Sequence, residues 1–348
     1  LVLFPYKGKE ELVTYCEAYS RALNGFIVSR EQNYQLELRS GICCVEDSDA
    51  SDINSLLDRA NMALKTIKMK GAAQWKFYDH TMRDKLLREK DLEIRMEKAL
   101  ADGEFLVYIQ PKYWVGTRAL AGGEALVRWK SPDQGFLSPG EFIPLFEKNR
   151  FIVKLDQFMF TSVCGLLRQW LDAGIEPRPL SVNVSQMQFH TPDFVERYIG
   201  IKSQYAIPDG LLELEFTESI FFDNVALLSS AVHEFRRAGI KCSIDDFGAG
   251  YSSLNVLKAL PVSVLKLDGM FFRTAKDDEQ ANIVIRNIMR MAGELKMATV
   301  AEGVETPEQV AFLETTGCDI IQGYVFARPM PAAEFTELLA GEGGHAER

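Results

Sequence analysis

The sequence predicts an α/β protein: a TIM-like (β/α)8 barrel over residues 101–340, behind a small α/β domain at residues 1–78 and a charged linker helix at residues 79–100. Three observations predict it. Eight short apolar segments recur from Phe105 onward, and helix-length amphipathic stretches lie between many of them. Nearly every apolar segment runs into a polar or acidic residue before a Gly, Ser or Pro, which is where such a barrel carries its functional groups. The apolar share of 47% and charged share of 25% in 348 residues leave ample material for a soluble core.

The N-terminal part reads in order. LVLFPY suggests a buried strand at Leu1–Pro5, so sequence is expected upstream of it. A helix follows near Lys9–Leu23, with Glu10 and Glu11 at its start, and strands are read at Gly25–Ser29 and Tyr34–Val45. Ser48–Asp52 offers capping residues for an amphipathic helix over Ile53–Met69, apolar at Leu56, Leu57, Ala60, Ala63, Leu64 and Ile67, which Gly71 stops. Trp75–Tyr78 is a last short strand. Asp79–Leu100, with Met82, Leu86, Leu92 and Met96 at helical intervals, reads as a solvated linker; signal transmission through it stays open.

The strand candidates are the segments Phe105–Pro111, Ala119–Trp129, Leu180–Ser185, Leu211–Ser219, Lys241–Gly250, Val262–Asp268, Met297–Glu305 and Asp319–Phe326. Helices are read at Asp156–Ala173, Asn224–Ala238 and Glu279–Leu295. The strand ends bear Glu124, Asn183, Glu215, Asp245, Asp246, Lys266, Glu302 and Gln322. Singly, each acid reads more readily as a helix cap or turn residue. Gathered at one barrel mouth, five carboxylates repel one another unless cations sit among them. Hard oxygen ligands select Mg2+ or Mn2+, and two ions can share a carboxylate, with Asp245–Asp246 the natural bridging position. Lys266 shares the parity of Val264 and Asp268, which points it along the interior toward the acids; an outward lysine lying between helices is the alternative.

Composition narrows the function. A net charge of −10 argues against an extended nucleic-acid surface, yet admits a small phosphorylated substrate neutralised by divalent cations. His80, His190, His233 and His345 show no ligand spacing, so any metal is held by oxygen. Cys16, Cys43, Cys44, Cys164, Cys242 and Cys318 form no C-x-x-C pair and read as core residues in a reducing cytoplasm. No apolar run approaches roughly 18 residues, so no membrane contact is expected from this segment, though it could be the cytoplasmic portion of a larger, membrane-attached protein with an upstream sensor.

Eight motifs in order resemble those of EAL-type cyclic di-GMP phosphodiesterases: QP at Gln110–Pro111, EALVRW at Glu124–Trp129, NVS at Asn183–Ser185, LEFTES at Leu214–Ser219, DDFGAGYSSL at Asp245–Leu254, KLD at Lys266–Asp268, AEGVET at Ala301–Thr306 and QGY at Gln322–Tyr324. The resemblance covers roughly residues 95–335. It implies that Glu124, Asn183, Glu215 and Asp245 ligate one cation, and that Asp245 and Asp246 ligate a second, with Asp245 bridging. The ions implied are Mg2+ or Mn2+, with Ca2+ a candidate inhibitor. It further implies that Lys266 and Glu302 hold or deprotonate the attacking water, with Gln322 in the same network. Arg128 and Gln110 would contact the dinucleotide, and Glu218 and Glu305 would anchor the segment Gly248–Leu254. The implied reaction is in-line attack by an activated water on one phosphodiester of cyclic di-GMP, giving linear 5′-pGpG, in a chain that forms a homodimer through the barrel. Ala249 stands where threonine is common and Gly269 where arginine is; both lie outside the ligand set. A catalytically weak or inactive barrel that serves as a cyclic di-GMP receptor is the alternative, and a barrel hydrolase acting on another phosphodiester is a third reading.

ANMALKTIKMKG at Ala60–Gly71 resembles the C-terminal half of a GGDEF domain, the diguanylate cyclase fold. The signature loop is absent, so the resemblance implies a partial, degenerate domain without cyclase activity; an unrelated small α/β domain is the alternative.

Overall fold

The computed structural model describes residues 2–28, 39–45, 52–67, 75–218, 220, 225–248, 261–273 and 279–343. The chain divides into two compact units, Leu1–Ile94 and Arg95–Arg348.

The first unit contains α1 (Lys9–Val28), β1 (Ser40–Ile42), α2 (Ile53–Lys65) and β2 (Trp75–Phe77). β1 and β2 pair in parallel, Ser40 opposite Trp75. Asp52 caps α2, its Oδ1 accepting from the backbone N–H groups of Asn54 at 2.8 Å and Ser55 at 3.0 Å. Two sequence expectations fail here. Val2–Tyr6 form no strand, and Val2 and Leu3 are exposed, because among the described residues no strand lies alongside to pair their backbone. Residues 25–28 continue α1 instead of starting a strand; no proline interrupts the helical ladder, so the β-leaning Phe-Ile-Val run is carried along in it. Of Tyr34–Val45 only Ser40–Ile42 is strand, while 34–38, 48–51 and the stop at Gly71 lie outside the described residues. α3 (His80–Ala101) follows, with Asp79 Oδ1 accepting from Met82 N at 3.3 Å at its start.

The second unit runs β3 (Phe105–Trp114), β4 (Leu120–Ser131), β5 (Gly135–Leu137), α4 (Pro139–Asn149), α5 (Ile152–Asp172), β6 (Leu180–Asn183), a 3-10 turn at Gln186–His190, α6 (Phe194–Gln204), β7 (Leu212–Thr217), α7 (Val225–Arg237), β8 (Lys241–Phe247), β9 (Val264–Leu267), α8 (Met270–Arg273), α9 (Glu279–Glu294), β10 (Ala298–Ala301), α10 (Pro307–Glu314), β11 (Ile320–Gln322), β12 (Met330–Pro331) and α11 (Ala332–Gly343). Eight strands close a barrel in the order β3-β11-β10-β9-β8-β7-β6-β4, with β4 returning to β3. All eight fall where the apolar segments predict them. No helix among the described residues is long and apolar enough to cross a membrane.

Two departures matter for the site. β3 runs antiparallel to both neighbours, β4 and β11, whereas the other seven strands are mutually parallel. The strand-end rule therefore does not apply to the β3–β4 hairpin. Glu124 lies inside β4, which continues to Ser131 as an arm paired with β3 and β5. The second departure is the interior itself. On β7, Leu212, Leu214 and Phe216 are buried among the apolar core while Glu213 and Glu215 share the opposite parity; on β8, Cys242 and Ile244 alternate with Ser243 and Asp245. The outer face of the sheet packs on helix residues such as Val163, Leu167, Phe235 and Ile285, and the inner face is polar.

Gly323 adjoins the interior residue Gln322 where two backbones nearly touch. A Cβ there would lie 2.0 Å from Val304 O and 2.5 Å from Val304 N. Gly323→Ala is expected to destabilise the protein by about 1–3 kcal/mol, the usual penalty of overpacking, as read from urea unfolding midpoints.

Candidate active site

The inward-facing residues converge on Lys266, which is fully buried on β9. Its Nζ lies 2.5 Å from Glu215 Oε2, 2.7 Å from Glu302 Oε1, 3.1 Å from Asp245 Oδ1 and 3.6 Å from Glu124 Oε2. One lysine thus gathers acids from β7, β8, β4 and the residue after β10. Burial pulls its pKa down, but Glu124, Glu215, Glu302 and Asp245 outweigh burial and hold it well above the ordinary value. The inward placement read from parity is correct.

Amide side chains complete the ring. Gln322 Nε2 donates to Glu124 Oε2 at 2.5 Å and to Gln110 Oε1 at 3.2 Å, and Asn183 Nδ2 donates to Glu124 Oε1 at 2.7 Å. Gln322 Oε1 is buried and has no hydrogen-bond partner among the described residues. Burial, with Glu215 alongside, raises the pKa of Glu124. Glu302 is raised well above the usual carboxylate range by burial, against the pull of Lys266 and with Asp245, Glu124 and Glu215 adding to it. Glu215 moves the other way, to about 2: its burial is outweighed by Lys112 and Lys266.

Adjacent strand residues normally face opposite sides, so Asp245 and Asp246 could not both serve one site on a regular strand. A bulge resolves this. Between the pairs Ile244↔Leu265 and Phe247↔Leu267, β8 advances three residues against two on β9. Asp246 adopts a φ of +55°, a left-handed conformation that aspartate tolerates better than most side chains. Asp245, Asp246 and Glu302 then each offer an oxygen within 4.8 Å of the others. Such a hard, all-oxygen donor set suits a divalent cation such as Mg2+ or Mn2+.

The sequence reading does not single out Lys112, yet it belongs to this network. It lies on β3 two residues after Gln110, and its buried ammonium donates to Ser181 Oγ at 2.7 Å and Glu215 Oε1 at 2.9 Å. Its shared parity with Gln110 in the run QPK was the available signal.

Two depressions open at the barrel mouth. The larger, about 780 Å3, is lined by Arg128, Asn183, Glu218 and Asp246 together with apolar residues including Ile143, Leu155 and Val184. The smaller, about 410 Å3, is lined by Gln110, Glu124, Asp245, Asp246, Glu302, Glu305 and Gln322. Arg128 donates through Nη1 to Val127 O at 2.8 Å, and its guanidinium stands 5.7 Å from the Tyr108 ring centroid. Glu218 Oε2 accepts from Gly248 N at 3.1 Å, at the head of the segment it was expected to anchor; residues 249–254, with Ala249, lie outside the described residues. Glu305 is exposed, and its backbone N–H donates to Gln309 Oε1 at 2.8 Å.

A profile for the EAL domain matches residues 94–329. The chain belongs to the EAL family. It is 34% identical over 292 residues to the cyclic di-GMP phosphodiesterase NbdA of Pseudomonas aeruginosa, a match covering 84% of this chain and 37% of that protein. It is 31% identical over 340 residues to the cyclic di-GMP phosphodiesterase PA2567 of the same organism, covering 97% of this chain and 57% of that one. The chain thus spans well under two thirds of these relatives' length. Among solved structures, the PaMucR phosphodiesterase in complex with c-di-GMP matches at 35% identity and a TM-score of 0.66, covering 70% of this chain and 99% of that one. The matched span includes β4, the strand that carries Glu124.

Two outcomes follow from the electrostatics. Lys266→Met leaves Glu124, Glu215, Glu302 and Asp245 facing one another, so without divalent cations the variant is expected to lose about 3–5 kcal/mol, the range for breaking a buried pair. Added Mg2+ or Mn2+ should restore part of that in a thermal melt. The second concerns Asp156 on α5, whose carboxyl accepts from Ser185 N at 3.0 Å and Gln188 Nε2 at 3.2 Å. Burial pushes its pKa from 3.8 to about 7. The folded state therefore favours the neutral acid, and stability falls as pH rises between those values, where the unfolded chain releases the proton first. Asp156→Asn should raise the melting temperature at pH 8 and leave it nearly unchanged at pH 4.

Proposed function

We propose that the barrel hydrolyses one phosphodiester bond of cyclic di-GMP to give linear 5′-pGpG with the help of two divalent cations, Mg2+ or Mn2+. The observation that carries this reading is the ring of Glu124, Glu215, Asp245 and Glu302 around the buried ammonium of Lys266, with the bulge adding Asp246. Glu124, Asn183, Glu215 and Asp245 would hold one ion, and Asp245 and Asp246 the other. When bound, the ions would supply Lewis-acid activation of a water and neutralise charge building on the phosphoryl oxygens.

The chain's own residues do the rest. Glu302, among the carboxylates at the barrel mouth, is placed to take the proton of the attacking water, and Lys266 at 2.7 Å holds that carboxylate in place. Gln322 fixes Glu124, and Gln110 braces Gln322 at the edge of the smaller depression. Arg128, at the wall of the larger depression, offers a planar guanidinium to a phosphate. Glu218 fixes Gly248, where the segment it was expected to anchor begins. Support for the substrate comes from the named activity of the two Pseudomonas relatives and from c-di-GMP in the PaMucR structure.

On this reading residues 79–100 are a connecting helix, the barrel is the homodimer-forming and catalytic part in the cytoplasm, and the N-terminal unit is a partial GGDEF-like module without chemistry of its own.

The reading is tested by incubating the purified chain with cyclic di-GMP and Mg2+ or Mn2+ and separating the nucleotides by chromatography. Linear pGpG should accumulate, and Glu302→Ala should keep binding while turnover drops by on the order of 100-fold or more. Tight binding without product at every metal concentration would make the barrel a receptor instead.

A further inference from the structure

Lys112 has no role in the reaction as read so far, yet it occupies a costly position. Its ammonium is buried beneath the acidic mouth and makes two directed contacts, to Ser181 Oγ at 2.7 Å and Glu215 Oε1 at 2.9 Å. Glu215 is itself buried and has an oxygen on each of two lysines, Oε1 on Lys112 and Oε2 on Lys266. Only Oε2 therefore lies on the side shared with Asp245 and Glu302, the two acids that also touch Lys266.

We infer that Lys112 is a positioning residue that sets cation selectivity, by holding back one oxygen of Glu215 so that this carboxylate offers a single oxygen to an ion. The inference rests on the reading of the barrel mouth as a divalent-cation site. Ca2+ takes six to eight ligands and readily accepts both oxygens of one carboxylate, whereas Mg2+ requires octahedral geometry with shorter bonds. A carboxylate pinned by one oxygen cannot close on an ion in the two-oxygen mode. The pin discriminates against Ca2+ and leaves Mg2+ and Mn2+ unaffected. Ser181, on β6 beside β7, supports it by accepting from the ammonium in a second direction.

The test is calorimetric titration of the purified chain with MnCl2, MgCl2 and CaCl2 in the absence of nucleotide, so that the readout does not depend on turnover. Removing one positive charge strengthens attraction for every divalent ion alike, and the ratio of Ca2+ to Mn2+ affinity cancels that effect. Lys112→Met should raise the ratio by on the order of 10-fold, the scale on which partners behind metal ligands act. Lys112→Gln, whose amide can still donate to Glu215 Oε1, should keep it near the wild-type value. Ser181→Ala, a small change that the barrel should accommodate, loosens the ammonium and should move the ratio in the same direction by less. An unchanged ratio in Lys112→Met, or in Ser181→Ala where the first variant does not fold, overturns the inference and leaves the metal site standing. A wild-type chain that binds none of the three ions sinks the metal reading itself.

Discussion

The interior of the barrel holds more acid than base, and the architecture of the site follows from that imbalance. Glu124, Glu213, Glu215, Asp245, Asp246 and Glu302 face or rim the same space as two lysines, Lys112 and Lys266. Stability alone would not select this. A buried ion pair is at best comparable to a well-packed apolar replacement, and unpaired acids are worse. On the proposed reading the excess is explained by what it would bind, since two divalent cations would bring the formal charge of this set to neutrality. The lysines stabilise the ring before any ion arrives, with Lys266 touching four of the acids and Lys112 one.

Positioning is then a matter of strand parity and two irregularities. Regular alternation sends Glu213 and Glu215, Ser243 and Asp245, and Lys266 inward while their neighbours bury apolar side chains against the helices. Alternation alone would waste one of the adjacent aspartates. The bulge in β8 recovers it through the left-handed backbone at Asp246. Reversal of β3 is the other irregularity. It places Gln110 opposite Glu124 and Lys112 opposite Gly122 and Gln322, so one strand contributes an amide to the rim and an ammonium below it.

The sequence carried the strands and the acids because both are written in local pattern. Apolar segments running into polar or acidic residues fall on all eight barrel strands, and Lys266 declared itself by parity. Where the sequence reading fails, the missing information is relational. Nothing local tells that β3 runs against its neighbours, so the strand-end rule misplaced Glu124, which lies well inside β4. Nor does a DD pair reveal a bulge, which exists only relative to the partner strand. Lys112 stayed hidden because it lies just past the apolar segment Phe105–Pro111, where only its parity with Gln110 marks it as inward. In the N-terminal unit, Val2–Tyr6 and Gly25–Val28 have β-leaning composition, yet a strand requires a partner for its backbone, and composition does not supply one.

The two depressions differ in character in a way that suits a cyclic dinucleotide on the proposed reading. The smaller is lined chiefly by acids and amides, fit for cations and the phosphate they neutralise. The larger joins Arg128 and Asn183 to an apolar wall of Ile143, Leu155 and Val184, fit for a base with its flat faces against carbon. Asp246 and Leu126 line both. The left-handed turn at Asp246 therefore stands at the boundary between the place for a base and the place for chemistry. On the proposed reading, a ligand spanning both depressions runs past Asp246 and Leu126, and a scissile phosphate beside Asp246 lies next to the carboxylates around Lys266.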